Sequence, residues 1–143
     1  DCVDVLVVNE VEAAELLRLA SPLSGLDLGA ATLLIQTVLD SFWTFFKGKW
    51  LIVTLGEQGS LAFSSSSLHG LPVSAPAFNI QAVDTVGPGD AFASALCVAM
   101  GQQDVDMKHA LMQANACGAM VASELGVLNV LPNREALNAF LSR

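Results

Sequence analysis

Basic residues are scarce in this chain: six Lys and Arg stand against 14 Asp and Glu, a formal charge of −8 over 143 residues. Proteins that grip a nucleic-acid backbone release its counterions through clustered Lys and Arg, so no nucleic-acid partner is expected. Long apolar runs are missing too. The longest, 29–38 and 110–122, are interrupted by Thr, Gln, Asn or Gly. A membrane-spanning helix needs about 20 mainly apolar residues, so neither a transmembrane helix nor a membrane partner is expected. Cysteine is sparse: Cys2, Cys97 and Cys117 are odd in number and far apart, which excludes a framework of paired spacings. They read as reduced, buried thiols of a cytoplasmic protein, and a catalytic thiol would need a basic, partly exposed neighbourhood. His69 sits in a Ser-rich loop and His109 on an amphipathic helix. With no Cys or His partner at ligand spacing, both read as non-catalytic.

What remains is a globular composition, 53% hydrophobic and 14% charged, ample for one core. No internal repeat or long Pro- or Gly-rich linker marks a second domain, so residues 1–143 read as a single part of one domain. The first residue is Asp1 rather than Met and no basic segment precedes an apolar one, so the chain reads as a piece of something longer.

Val3 to Val8 is a nearly unbroken β-branched and Leu run, which predicts a central parallel strand covered on both faces. Helical spacing follows over Glu10 to Ala20, and again from about Gly29 to Lys47, where Ile35, Val38, Leu39, Phe42, Phe45 and Phe46 share one face. Trp50 to Thr54 is a second strand, Leu55 to Gly59 a turn, and Ser60 to Phe63 a returning strand near the sheet edge. Val73 to Val83, broken by Pro76, reads as one or two short strands. Helices are predicted over about 91–100, 106–122 and 133–141. Strands alternating with helices argue for an α/β fold, a mostly parallel open sheet with flanking helices, and such sheets bind ligands at the carboxyl ends of their strands.

Asp84-Thr85-Val86-Gly87-Pro88-Gly89-Asp90 precedes the apolar helix at 91–100. Glycines let backbone N–H groups approach a phosphate, and a helix N-terminus adds unsatisfied donors and a favourable dipole. Asp90 is placed at the helix cap. A cap residue and two turn glycines would explain Asp90, Gly87 and Gly89 without a ligand, but leave Asp84 and Thr85 without a role. Asn9 and Glu12 alone read equally as a strand-end Asn and a solvated helix Glu. Thr54-Leu55-Gly56-Glu57-Gln58-Gly59 alone reads as an ordinary strand-joining turn.

The segment Gln81 to Phe92 resembles the Asp-Thr-x-Gly-Ala-Gly-Asp signature of ribokinase-like carbohydrate kinases, closest to ribokinase. Asn9-Glu10-Val11-Glu12 is similar to that family's Asn-x-x-Glu motif, and Thr54 to Gly59 to its Thr-Leu-Gly-x-x-Gly turn. Ala114-Asn115-Ala116 and Gly126 to Pro132 with Arg134-Glu135 continue the match in order. The resemblance covers this whole chain but only the C-terminal portion of a ribokinase-like fold, without the first strands, the lid and most of the sugar pocket. It implies ATP-dependent phosphorylation of the primary hydroxyl of a sugar, ribose to ribose 5-phosphate first, with another sugar or a nucleoside as the alternative substrate. A truncated non-catalytic nucleotide-binding relic is the alternative from a different class.

By the same resemblance Asp90 binds the sugar hydroxyl and acts as general base, while Gly87 and Gly89 help form the anion hole. ATP, the co-substrate, would be held by Asn9, Thr54, Leu55, Gly56, Glu57, Gln58, Gly59, Gly89, Asp90 and Asn115. Glu12 would hold Mg²⁺ through water. A K⁺ site would use Asp84, Val86, Val121, Glu124, Gly126 and position 130. The partners implied are a small sugar and ATP, with a homodimer of the full-length protein. Two residues depart from the pattern. Val130 offers no side-chain oxygen where a hydroxyl is expected, which counts against potassium activation. Pro88 stands where Ala is usual; it has no N–H and should restrict Gly87 toward extended backbone.

Overall fold

Alternation of β-branched runs with helix-forming segments gives a mixed α/β structure. The computed structural model describes residues 3–67, 71–84, 86–102, 104–126 and 131–142. The chain divides into two compact units, Asp1–Ser74 and Ala75–Arg143. Among the described residues the strands β1 (Val5–Asn9), β2 (Trp50–Thr54), β3 (Gly59–Ser64) and β4 (Val73–Pro76) form one open sheet in the order β1-β2-β3-β4.

In the first unit β1 and β2 are parallel, in register from Val5 opposite Trp50 to Asn9 opposite Thr54. β2 and β3 are antiparallel, from Trp50 opposite Ser64 to Thr54 opposite Ser60. Parallel neighbours require a long crossover, supplied here by α1 (Glu10–Leu16), α2 (Leu28–Gln36) and α3 (Leu39–Phe45). Strand side chains alternate faces. Leu6, Val8, Leu51, Val53, Leu61 and Phe63 therefore share one face, packed in a core with Ala13, Ile35, Leu39 and Phe42 of the helices and with Leu17 just past α1.

Five details differ from the sequence expectation. β1 starts at Val5 and stands at an end of the strand order rather than at its centre, while β3 lies between β2 and β4 rather than at the edge. α1 stops at Leu16, because Arg18 turns to φ 52° and closes the helix. The single helix expected over 29–47 is two helices bent by 60°. Thr37 Oγ1 donates to the Leu34 carbonyl at 2.7 Å, and the Val38 N–H donates to the Ile35 carbonyl at 3.1 Å, three residues back rather than four. These contacts tighten the last turn at a β-branched pair and end α2. The bend keeps Ile35, Leu39 and Phe42 in the core but leaves Phe45 65% exposed. No single helix among the described residues is long and apolar enough to cross a membrane.

β4, which runs across the boundary between the units, is the one strand that forms within 73–83 among the described residues. α4 (Pro88–Met100), α5 (Met107–Ala122) and α6 (Arg134–Leu141) follow. Ala91, Ala116, Cys117, Val121 and Leu137 make their core, with Phe78 set edge-on against Phe140 at 5.1 Å. Cys117 is buried as expected, and burial pushes its thiol up from the ordinary value, with Arg134 pulling the other way. Cys97 is exposed, because it lies on the face of α4 away from buried Leu96 and Ala99. Cys2 and His69 lie outside the described residues.

Leu51 is fully buried at the centre of the first unit's core. Leu51→Ala is expected to destabilise the protein by roughly 2 to 5 kcal/mol. Leu33→Ala, at a position 68% exposed, should stay within about 0.5 kcal/mol of the parent. Denaturant unfolding of both variants checks the assignment.

Candidate active site

Asn9 ends β1 and begins α1. Its Oδ1 accepts from the N–H groups of Val11 and Glu12, both at 2.9 Å, and Glu12 Oε2 accepts from the Asn9 N–H at 2.9 Å. This reciprocal capping box satisfies donors that the helix itself cannot. It also fixes the Glu12 carboxylate, which is exposed, at the carboxyl end of a parallel strand. Thr54, the last residue of β2, is the register partner of Asn9, and its Oγ1 lies 3.5 Å from the Val8 carbonyl oxygen. The two expected ligand-binding positions are thus neighbours across the parallel pair.

The chain leaves β2 through buried Leu55, whose N–H donates to the Gly59 carbonyl at 2.8 Å, and a 3₁₀ turn over Gly56–Gln58. Gly59 takes φ 112° and ψ −138°, a conformation closed to residues with a Cβ. Gly56, Glu57 and Gln58 are exposed. The expected nucleotide-binding turn therefore presents the Gly56 backbone and the Glu57 and Gln58 side chains to solvent just after the end of β2.

In the second unit Gly87 caps α4 in the left-handed region, φ 96° and ψ −18°, with Pro88 at the first helical position. Here the structure corrects the sequence reading twice. The cap is Gly87 rather than Asp90, which sits in the first turn, and Gly87 is left-handed rather than extended. Pro88 fixes its own φ and so transfers the change of direction to the glycine before it. Pro88 lacks an N–H at a position whose N–H would have no partner within the helix, where proline is well tolerated. Gly89 and Asp90 keep their donors, since the N–H that first bonds back in this turn is that of Ala91, to the Gly87 carbonyl at 2.9 Å. Asp90 is exposed, and its carboxylate stands at the positive end of a 13-residue helix. The arrangement offers backbone donors for an anion beside an accessible carboxylate, the pairing needed to orient phosphate oxygens and take a proton from a hydroxyl.

Asp84 closes the loop ahead of this helix. Its Oδ1 accepts from the Val86 N–H at 2.9 Å and its Oδ2 from the Gly126 N–H at 3.3 Å, while the Val83 and Asp84 N–H groups converge on the Ala122 carbonyl at 2.7 and 3.2 Å. Asp84, Val86 and Gly126, three of the positions expected to surround K⁺, are therefore brought together. Val121 is buried and its carbonyl accepts from Glu124 N–H at 3.3 Å. A carboxylate and backbone carbonyls are hard oxygen donors suited to a group 1 or group 2 cation, and so is the Glu12 carboxylate for Mg²⁺. Position 130, like Thr85, lies outside the described residues.

Asn115 differs from a solvent-facing helix residue. Its Nδ2 donates to the carbonyls of Ala75 and Pro76 at 3.1 and 3.0 Å, tying α5 to the end of β4. His109 pairs with Gln113, Nε2 to Nε2 at 2.7 Å, an internal partner one helical turn away.

The chain thus has an α/β sheet with Asn9 and Thr54 at the ends of two parallel strands, joined in sequence to a glycine-capped helix with an acid in its first turn. The chain matches the profile of the pfkB family carbohydrate kinases over residues 1–134 and belongs to that family. It is 34% identical over 99 residues to probable fructokinase-4 of Arabidopsis thaliana, covering 65% of this chain and 29% of that protein. Against the ATP-dependent ribose-1-phosphate kinase of Halopiger xanaduensis it is 46% identical over 67 residues, 47% of this chain and 22% of that protein. The ribokinase structure from Thermotoga maritima superposes with a TM-score of 0.76 and 28% identity, over 99% of this chain and 43% of that one. The Arabidopsis thaliana ribokinase complexed with ribose and ATP shares the fold at a TM-score of 0.82 and 24% identity, over 100% of this chain and 42% of that one. The chain thus spans less than half the length of each of these relatives.

Asp84→Ala is expected to free both loops it joins. Two hydrogen bonds to a charged acceptor are lost, at roughly 1.5 to 3 kcal/mol each where such bonds are well protected and less at this half-buried carboxylate. Amide hydrogen exchange should accelerate at both Val86 and Gly126; acceleration at only one would show that the carboxylate does not bridge them.

Proposed function

We propose that the protein carrying this sequence transfers the γ-phosphoryl group of ATP to the primary hydroxyl of a sugar. The observation that carries the proposal is the start of α4, where the exposed Asp90 carboxylate stands in the same helical turn as the unbonded N–H groups of Gly89 and Asp90. In this reading Asp90 accepts the hydroxyl proton as the sugar oxygen attacks the γ-phosphorus. The bond from that phosphorus to the β–γ bridging oxygen breaks, and ADP leaves. Phosphoryl transfer asks little covalent chemistry of a protein, so positioning and charge stabilisation supply most of the rate. The Gly89 and Asp90 N–H groups meet the charge on the transferring oxygens.

The Thr54–Gly59 turn and Asn115 are assigned to the nucleotide, and Asn9 with Glu12 to its phosphates and their metal. When bound, Mg²⁺ would neutralise phosphate charge, held through water by the Glu12 carboxylate. Asp84 with its neighbours is assigned to a monovalent cation. A cytoplasmic location belongs to the same reading.

Ribose is the substrate favoured by the resemblance of Gln81 to Phe92 and by the 28% identity to Thermotoga maritima ribokinase. Fructose is the second reading, favoured by the 34% identity to probable fructokinase-4. ADP release in the presence of Mg²⁺ and K⁺, measured with ribose, with fructose and with no sugar, decides between them. Asp90→Asn should lower the sugar-dependent rate by about 10² to 10⁴, the usual contribution of a positioned general base. A sugar-dependent rate that survives Asp90→Asn would remove Asp90 as the base. Nucleotide binding without sugar-dependent turnover would favour a binding role instead.

A further inference from the structure

We propose that Gly118, in the middle of α5, is a positioning residue for this reaction: lacking a side chain, it lets the α5 backbone seat the first turn of α4 and so sets where Gly89 and Asp90 present their groups. The catalytic consequence rests on the kinase reading above; the seat itself rests on geometry alone.

A Cβ placed on Gly118 would lie 3.2 Å from the Pro88 carbonyl oxygen, 3.9 Å from the Pro88 carbonyl carbon and 3.8 Å from Phe92 Cβ. The first of these is tighter than ordinary van der Waals contact, so the two backbones would have to part by a few tenths of an ångström. Gly89 and Gly101 carry no such demand. A Cβ on Gly89 would meet nothing within 4 Å, and one on Gly101 would make ordinary contacts at 3.6 Å with Cys97 and Val98 oxygens. Glycine is also the weakest ordinary helix former. Its place inside a 16-residue helix runs against local preference, and the contact with Pro88 gives the reason.

The first turn of α4 cannot easily give way. Pro88 has its φ locked by the ring, and Gly87 before it is held in the left-handed region and bonded through its carbonyl to Ala91 N–H. Ala91 and Phe92, each 4% exposed, anchor the turn in packed surroundings. Any displacement of Pro88 therefore moves the Gly89 and Asp90 N–H groups and the Asp90 carboxylate together. Misplacement of reacting groups by about 1 Å can cost 10²-fold in rate, so a few tenths of an ångström corresponds to a loss of severalfold.

The test is a double-mutant cycle in the protein that carries this sequence, with Gly118→Ala, Pro88→Ala and the pair together, Gly101→Ala as the control, and both kcat and melting temperature read for each. Gly118→Ala should lower kcat roughly 3- to 10-fold, with the KM values for sugar and ATP within about twofold, because ground-state binding does not require the same alignment. In the Pro88→Ala background, where the backbone at 88 is free to yield, the loss should shrink to less than about twofold. Gly101→Ala should leave kcat unchanged. An equal loss in both backgrounds, or none in either, would overturn the seat. If no variant and no parent shows sugar-dependent turnover, the kinase reading has failed. The seat is then judged by melting temperature: Gly118→Ala should lower it relative to Gly101→Ala, and lower it less in the Pro88→Ala background. Additive melting shifts would overturn the seat on that measure too.

Discussion

Because Pro88 can neither rotate about φ nor donate a hydrogen bond, the change of direction into α4 falls on Gly87, at φ 96°. The rest of the second unit's candidate chemistry depends on that one left-handed residue. It directs the Gly89 and Asp90 N–H groups off the end of the helix and lifts Asp90 from the capping position into the first turn. A capping Asp would spend its side-chain oxygen on the helix's own donors. A first-turn Asp does not, and its carboxylate stays available. The Asp84 carboxylate then holds the loop from the other side by accepting from Val86 and Gly126. Proline, glycine and the two aspartates form one mechanical unit, in which the unusual Pro88 is a consequence of the turn as much as a departure from a pattern.

In the first unit, structure and candidate function use the same residues. The Asn9 and Glu12 side chains cap α1 reciprocally, but the cap does not exhaust them. Each side chain has more capacity than the cap uses: the box engages Glu12 through Oε2 and Asn9 through Oδ1. A cap that immobilises a carboxylate at the carboxyl end of β1 also preorganises it, since its rotamer is chosen by the helix before any ligand arrives. The readings of this pair as helix cap and as phosphate-side ligand are therefore compatible.

Most of the architecture was legible in the sequence, because its signals are periodic and local. β2 occupies the residues expected, 50–54, as a short β-branched run between turn signals, and the three last helices fall within a few residues of expectation. The failures have particular causes. The apolar stripe from Ile35 to Phe46 continues through Thr37 and Val38, so periodicity could not report that a side-chain hydroxyl would cap α2 there. Strand order was equally hidden, since the run 5–9 looks the same at the centre of a sheet as at one end. At the candidate site, the identity of the residues was readable but their backbone was not. Pro88 was expected to extend Gly87, when the glycine's freedom to go left-handed made the opposite available. Gly118 carries no sequence signal at all, because its role exists only where α5 touches the start of α4 at Pro88, 30 residues earlier in the chain.

The division between common and variable chemistry follows from what this part of the protein presents. Backbone N–H groups at a helix start recognise phosphate oxygens whatever alcohol attacks, and a carboxylate that accepts a hydroxyl proton is equally indifferent to the rest of the sugar. Relatives named for fructose and for ribose 1-phosphate match this chain at 34% and 46% identity over their aligned segments, as expected if the shared residues serve the shared step. On the proposed reading, discrimination among sugars requires groups that hydrogen-bond particular hydroxyls and are left unpaired by the wrong substrate. The glycine-rich segments described here contain few such side chains. On that same reading the α4 start would bear on the transfer step itself, by holding Asp90 in line with the primary hydroxyl of whichever sugar is bound.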